Sequence, residues 1–134
     1  MKGELIPLVM LPRYTSYLGE GTYTTVPLEV TDFAGAALEF WRGPLAGKPQ
    51  GATFAAYLEE AVEPSPDPAD PDGWKVLAST TADDATSLLK VAFSRRYLRF
   101  RVVLVADLTN GLAAITCWAA GSLERRMPPG AGPE

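Results

Sequence analysis

The chain has 134 residues, 47% of them hydrophobic and 21% charged, with a formal net charge of −4. That length suits one domain with a real core. The acidic balance argues against wholesale wrapping of nucleic acid, and no apolar run is long enough to span a membrane. There is no histidine and a single cysteine, Cys117, which excludes an intrachain disulfide, a Cys/His zinc site, and Ser-His-Asp or Cys-His catalysis.

The first predicted element is residues 5–11, an apolar run interrupted by Pro7 and closed by Pro12. Prolines at these places fit an edge strand or an extended arm and exclude a helix interior. No basic segment leading into an apolar one opens the chain, so no secretory signal is expected. Residues 19–21, "GEG", signal a turn. Residues 22–30, "TYTTVPLEV", have strand composition, and Pro27 marks an edge or a bulge. Residues 36–41, "AALEFW", alternate, with Leu38 and Phe40 on one face and Glu39 and Trp41 on the other. Residues 42–51 are dense in Gly and Pro and read as a loop. Residues 52–62 have a composition that also suits a short helix, but their neighbours are strands, and as a strand Phe54, Ala56 and Leu58 face inward while Thr53, Tyr57 and Glu59 face out.

Residues 63–73, "EPSPDPADPDG", exclude regular structure and predict a protruding, solvated loop. Its closing Asp72-Gly73 turn leads into a strand over 74–79. The segment "TADDAT" is a turn, and residues 87–93 are a further strand. Residues 93–105, "FSRRYLRFRVVLV", place Leu98, Phe100, Val102 and Leu104 on one face and Tyr97, Arg99 and Arg101 on the other. Burying each large apolar side chain contributes roughly 1.5–3 kcal/mol, so the core face dictates the register. Asn110-Gly111 signals a hairpin, which predicts that residues 112–126 return antiparallel beside that strand. The tail, residues 127–134, is rich in Pro and Gly.

About eight strands with closely spaced turn signals predict an all-β fold, an antiparallel β-sandwich or jelly roll. The expected organisation is an N-terminal arm or edge strand over 1–17, a sandwich over 18–126 and a flexible tail over 127–134. Both ends are expected to extend as arms that order on assembly.

Four groups of residues invite a functional reading. Arg95, Arg96, Arg99 and Arg101, with Arg125, Arg126 and Tyr97, have the composition of a nucleic-acid stripe. The acidic total favours instead a solvated strand face paired with Glu59, Glu60 and Glu124. Arginine and tyrosine also favour protein interfaces, which makes Tyr14, Tyr17, Trp41, Tyr57, Arg96, Tyr97, Arg99 and Arg101 the interface candidates. Asp67, Asp70 and Asp72 lie close together but lack EF-hand spacing, so a metal is not expected. Glu59 and Glu60, or Asp83 and Asp84, are adjacent and point to opposite strand faces, which defeats joint action on a glycosidic bond. Trp41, Trp74 and Trp118 are candidates for a sugar-binding surface. Core packing is the default for Trp118, and Trp41 is expected to be exposed. Cys117 reads as a small buried apolar residue.

Three segments carry a resemblance: Leu58-Glu59-Glu60, Asp72-Gly73-Trp74, and Arg96-Tyr97-Leu98-Arg99. In this order they resemble the motifs of small phage virion β-sandwich proteins, the capsid decoration and minor structural proteins. The insertion over residues 63–71 departs from the tight turn usual there. The resemblance implies a non-enzymatic virion structural protein without cofactor. It would bind the major capsid protein or another virion protein on the capsid exterior, as a homo-oligomer and specifically a trimer. A tail or neck accessory protein is the nearest variant. "RYLRFRV" also resembles the late strand of discoidin-like sandwiches, which implies a carbohydrate-binding module as the alternative.

Overall fold

The computed structural model describes residues 4–64, 73–81, 86–109 and 111–126. Among them are nine strands: β1 (Leu5–Leu18), β2 (Gly21–Thr24), β3 (Leu28–Glu29), β4 (Phe33–Arg42), β5 (Thr53–Ala61), β6 (Lys75–Thr81), β7 (Thr86–Ala92), β8 (Tyr97–Val105) and β9 (Ala114–Arg125). One sheet has the order β1-β9-β4-β7, and the other β2-β8-β5-β6 with β3 also on β8. All pairings are antiparallel.

β2 and β3 occupy the place of one strand along β8, separated at Val26 and Pro27. Proline has no N–H to give a ladder. Thr25 bridges the gap, its N–H donating to Phe100 O at 3.0 Å and its Oγ1 accepting from Phe100 N at 2.9 Å. Counting β2 and β3 as one leaves eight strands. The first pairs with the eighth, the second with the seventh, the third with the sixth and the fourth with the fifth, which is jelly-roll topology. The expected β-sandwich or jelly roll is thus the fold, and it is the jelly roll.

The core lies between the sheets. Leu98, Phe100, Val102 and Leu104 of β8 are buried, as the alternation predicts, together with Leu38 and Phe40 of β4 and Phe54, Ala56 and Leu58 of β5. Phe40 stacks between Phe54, at 6.0 Å, and Phe100, at 5.4 Å, joining the two sheets at their centre. Each such ring contributes about 2–3 kcal/mol by leaving water.

Two expectations need correction. Residues 112–126 do not return beside β8. β9 lies in the opposite sheet between β1 and β4, and the segment after β8 crosses from one sheet to the other. Asp107 holds that crossing closed: its N–H donates to Leu112 O at 2.9 Å, and its carboxylate accepts from Thr109 N at 2.9 Å and Leu112 N at 3.2 Å. The second concerns the N-terminal segment: of the two expectations, an arm or an edge strand, the arm is corrected and the edge strand is what the structure shows. From Leu5 opposite Glu124 to Leu18 opposite Ala114 it is the edge strand on β9, bulged twice between Val9 and Thr15. Pro7 and Pro12 remove donors from its open edge and discourage further pairing. The tail over 127–134 and most of the loop over 63–73 fall outside the described residues.

Connections β1–β2, β4–β5 and β8–β9 gather at one end of the sandwich. There Gly19 N donates to Ala113 O, Ala106 N to a Glu20 carboxylate oxygen, and Ala46 N to Ala114 O. Gly47, at φ 88°, sits so close to Leu112 O that a side chain would strike it. At the opposite end, Glu60 points inward from β5 and is fully buried. Its carboxylate accepts from Ser94 N, Ser94 Oγ and Arg95 N at 3.0, 2.7 and 3.2 Å, fastening the β7–β8 turn.

Candidate functional site

The arginine-bearing strand face carries five of the eight interface candidates: Tyr57, Arg96, Tyr97, Arg99 and Arg101. Glu59, opposite Arg99 on the outer face of the five-stranded sheet, is buried despite its charge. Arg99 Nε donates to Glu59 Oε1 at 2.9 Å, and Arg101 donates to Oε2 from Nε at 3.1 Å and from Nη2 at 3.0 Å. Trp74 covers the Arg99 guanidinium at 4.0 Å, and Tyr57 stacks on that of Arg101 at 4.2 Å. A solvated arginine face is therefore corrected: Arg99 is 2% exposed and Arg101 24%. The pairing with Glu59 is present, but it is a sheltered brace. Glu60 serves the turn instead, and Arg125 pairs with Glu4 at 3.5 Å rather than with Glu124. Arg96 is exposed, pairs with Glu29 at 3.4 Å and lies over Tyr97 at 5.5 Å. The guanidinium groups of a nucleic-acid stripe are thus mostly engaged within the chain.

The outer face of the four-stranded sheet is built differently. Leu38, Phe40, Cys117 and Ala119 point inward, so their neighbours Glu39, Trp41, Trp118 and Ala120 point out. Register sets these residues in rows across the sheet. One row is Val9, Ala120, Glu39 and Leu88; the next toward the loop end pairs Trp118 with Trp41 and Trp41 with Thr86. On the other side lie Pro7, Ser122, Ala37 and Lys90, then Leu5, Glu124, Gly35 and Ala92. Leu5, Val9 and Leu88 are 61, 61 and 65% exposed. The small side chains leave a depression of about 380 Å³ lined by Leu5, Gly35, Ala37, Lys90, Ser122 and Glu124.

Trp118 is therefore half-buried on an outer face and not in the core, which corrects its default placement. Trp41 lies beside it, also half-buried. Arg13, from the β1 bulge, sets its guanidinium 5.4 Å from the Trp118 ring. Tyr14 in the same bulge is 82% exposed and adopts φ 66°, a conformation that strains a side chain with a Cβ. Tyr17 turns inward and stacks on Tyr23 at 4.6 Å. Burial raises its pKa, with smaller contributions from Cys117 and Tyr23. Cys117 is wholly buried, and loss of water pushes its thiol from 9.0 up to about 11. Counting by twos from Ile115 places Trp118 outward; its apolar neighbours hid that signal.

The third region is the loop end. Leu108 is 94% exposed, Leu18 77% and Leu112 46%. They stand on connections tied to each other through Gly19, Ala113 and the nearly buried Asp107. Sequence reading passed over these leucines, because single apolar residues in turns carry no periodic signal.

Among the described residues no group of three or more Cys, Asp or Glu side chains is placed to hold a metal ion. No described helix is long and apolar enough to cross a membrane. Asp67, Asp70, Asp72, Asp83 and Asp84 lie outside the described residues.

No family model and no curated sequence matches this chain. Among solved structures it is similar to a mutant family 29 carbohydrate-binding module complexed with cellulohexaose, at 11% identity over 90% of each chain with a TM-score of 0.37. It is also similar to a second family 29 carbohydrate-binding module, at 9% identity over 90% of this chain and 88% of the other, with a TM-score of 0.35.

Proposed function

We propose that this chain is a non-enzymatic phage virion structural protein of the decoration or cement type, which stabilises a head by gripping the major capsid protein from outside through the loop end of its jelly roll. The observation that carries the reading is Leu108, almost fully exposed at the tip of a loop locked by Asp107. Holding an apolar side chain in water on an ordered loop gains the isolated chain nothing. It does lower the ordering cost of docking into an apolar pocket of a partner. Leu18 and Leu112 widen the patch.

Further support comes from where the resembling motifs lie. Leu58-Glu59-Glu60, Trp74 and Arg96-Tyr97-Leu98-Arg99 converge on the Glu59–Arg99–Trp74 brace and the Glu60-anchored turn. Residues that fasten strands are those that relatives sharing a scaffold would keep in common. Jelly rolls serve viral shells and lectins alike, so topology alone decides nothing.

The test is co-sedimentation with empty heads assembled from the major capsid protein encoded beside this chain. Binding is expected, with Leu108→Asp weakening it at least tenfold while melting stays unchanged. Absence of any capsid gene nearby, or binding indifferent to Leu108→Asp, sinks the reading. A tail or neck site is distinguished by binding to that structure and not to heads.

A carbohydrate-binding module is the second reading, and the outward Trp41–Trp118 pair favours it. Aromatic rings lying on a sheet face stack on sugar rings. Retardation on a polysaccharide gel that Trp41→Ala abolishes is its expected signature.

A further inference from the structure

We infer that Arg42 is a receptor for one carboxylate, filled by an acidic side chain of the protein on which the loop end docks. The partner rests on the loop-end reading; the site itself does not.

Residue 42 opens the Gly- and Pro-rich run that composition marks as a loop, yet β4 extends to include it. It is the last inward position of that strand. Leu38 and Phe40 precede it on the same face, and it lies opposite Cys117, which is wholly buried. An apolar side chain is the ordinary occupant of such a place. The arginine there is only 9% exposed.

Five charged side chains are buried among the described residues: Arg42, Glu59, Glu60, Arg99 and Asp107. Glu59 and Arg99 hold each other. Glu60 accepts three hydrogen bonds from the β7–β8 turn, and Asp107 closes its own loop. Arg42 alone has no counter-charge among the described residues. Its one hydrogen bond there runs from Nη1 to Gly43 O at 2.9 Å, and its Nε is buried without a partner. Uncompensated burial of a charge is costly, so buried charges are otherwise paired. A carboxyl or an amine can escape that cost by neutralising, and an arginine cannot. An orphaned donor at this depth therefore points to a ligand.

Geometry and charge specify which ligand. With Nη1 engaged by Gly43 O, the unengaged edge of the guanidinium is Nε and Nη2. Their two N–H groups are parallel and match both oxygens of a planar carboxylate. Nε is already cut off from water, so a bond to it costs no dehydration of the donor. One carboxylate cancels one guanidinium, whereas a phosphate dianion would leave excess charge. The site is also stiff: Gly43 N donates to Thr116 O at 2.7 Å and Ala46 N to Ala114 O at 2.9 Å, which ties the connection to β9 and lowers the ordering cost of binding.

The surroundings favour a protein as the source. The β4–β5 connection belongs to the end that carries the exposed Leu18, Leu108 and Leu112. Leu112 lies five residues before Cys117, the ladder partner of Arg42, hence at most about 18 Å from it. One standard interface of roughly 800 Å² per partner covers both.

The guanidinium Nε–H resonance of Arg42, assigned by its loss in Arg42→Met, reads the site on the full chain without a partner. It is expected to move downfield saturably over sodium acetate on the order of tens to hundreds of millimolar, and to stay in place in sodium chloride of equal ionic strength. A resonance that acetate leaves unmoved assigns Nε to a trapped water and overturns the inference. Arg42→Met is expected to weaken co-sedimentation with heads roughly tenfold or more. Arg42→Lys, a point charge without the fork, should not restore wild-type binding. Arg42→Met should melt no lower than the wild type, since it removes an unpaired buried charge, and this separates lost binding from lost folding. Heads that bind Arg42→Met as well as wild type overturn the inference and leave the loop-end reading standing. Heads that bind no wild-type chain sink that reading and the protein source with it, and the acetate shift then upholds the carboxylate site alone. Retention on a polygalacturonate gel that Arg42→Met abolishes assigns the carboxylate to an acidic sugar and overturns the protein partner.

Discussion

Glu59 sets the energetics of the five-stranded sheet's outer face. It is the shared counter-ion of Arg99 and Arg101, and Arg99 has almost no water to turn to. Removing one partner of a buried pair leaves an uncompensated charge, at a cost of about 3–5 kcal/mol. Glu59→Ala is therefore expected to lower the unfolding free energy by that much in urea titrations. Arg101→Ala should cost only about 1 kcal/mol, because Arg101 is partly hydrated and Glu59 keeps Arg99. Equal losses from the two variants would contradict the shared brace. Cys117 makes a second prediction, through pH. Its folded-state pKa of about 11 lies above the ordinary 9.0, so the folded chain keeps a proton that the unfolded chain releases first. The associated stability is complete below pH 9 and is lost as pH rises toward 11. Tyr17 is shifted in the same direction and adds to the trend. The urea midpoint of the wild type should thus fall more steeply over that window than that of Cys117→Ala.

At the scale of the strand, β9 owes its place to Gly121. A Cβ there would strike the Ala37 carbonyl oxygen of β4. The obstacle is backbone, which cannot swing aside as a side chain can. Gly121→Val should force β4 and β9 apart and cost about 3 kcal/mol, the upper range of overpacking, read as a drop in melting temperature with weakened protection of Leu38 and Ala119 amides. β8 shows why some strands could be read from sequence alone. Its inward residues are large, apolar and two apart, so burial energy fixes the register without knowledge of neighbours. β9 shows the limit. Asn110-Gly111 is a hairpin signal only if the flanking strands are adjacent in one sheet. In a jelly roll that connection changes sheets, and which strand a strand neighbours is a property of the whole chain. Likewise Glu59 and Arg99 read as a solvated pair because their shelter comes from Trp74, at the start of a different strand. The outer face of the four-stranded sheet was legible only in fragments. Trp41 stood out in its alternating strand, whereas Leu88, Val9 and Trp118 belong to three strands whose register no local pattern specifies.

Across the whole molecule, the first strand pairs with the last. β1 runs along β9 for nearly its full length and lays Leu11 into the core, with Leu8 and Met10 packed against it. An arm that orders only on assembly and a strand that completes the sandwich predict opposite results for truncation. Deleting residues 1–12 from an arm leaves stability untouched. Deleting them from this strand removes one fully buried and several half-buried apolar side chains, together on the order of 5 kcal/mol at 1.5–3 kcal/mol per buried residue. Whole domains hold only about 5–15 kcal/mol. It also bares the edge of β9, whose unpaired N–H and C=O groups then invite pairing with other chains. The truncated protein is therefore expected to lose its cooperative urea transition and to scatter light at concentrations where the full chain stays clear. A truncation that melts like the full chain would restore the arm. The same topology governs folding rate. Pairing residue 5 with residue 124 requires closing almost the entire chain, and folds dominated by such contacts reach the native state in milliseconds to seconds rather than microseconds. Stopped-flow refolding should fall in that slow range. Leu11→Ala weakens that rate-setting closure and should slow folding measurably as well as speed unfolding; an unchanged folding rate would place the β1–β9 pairing after the barrier.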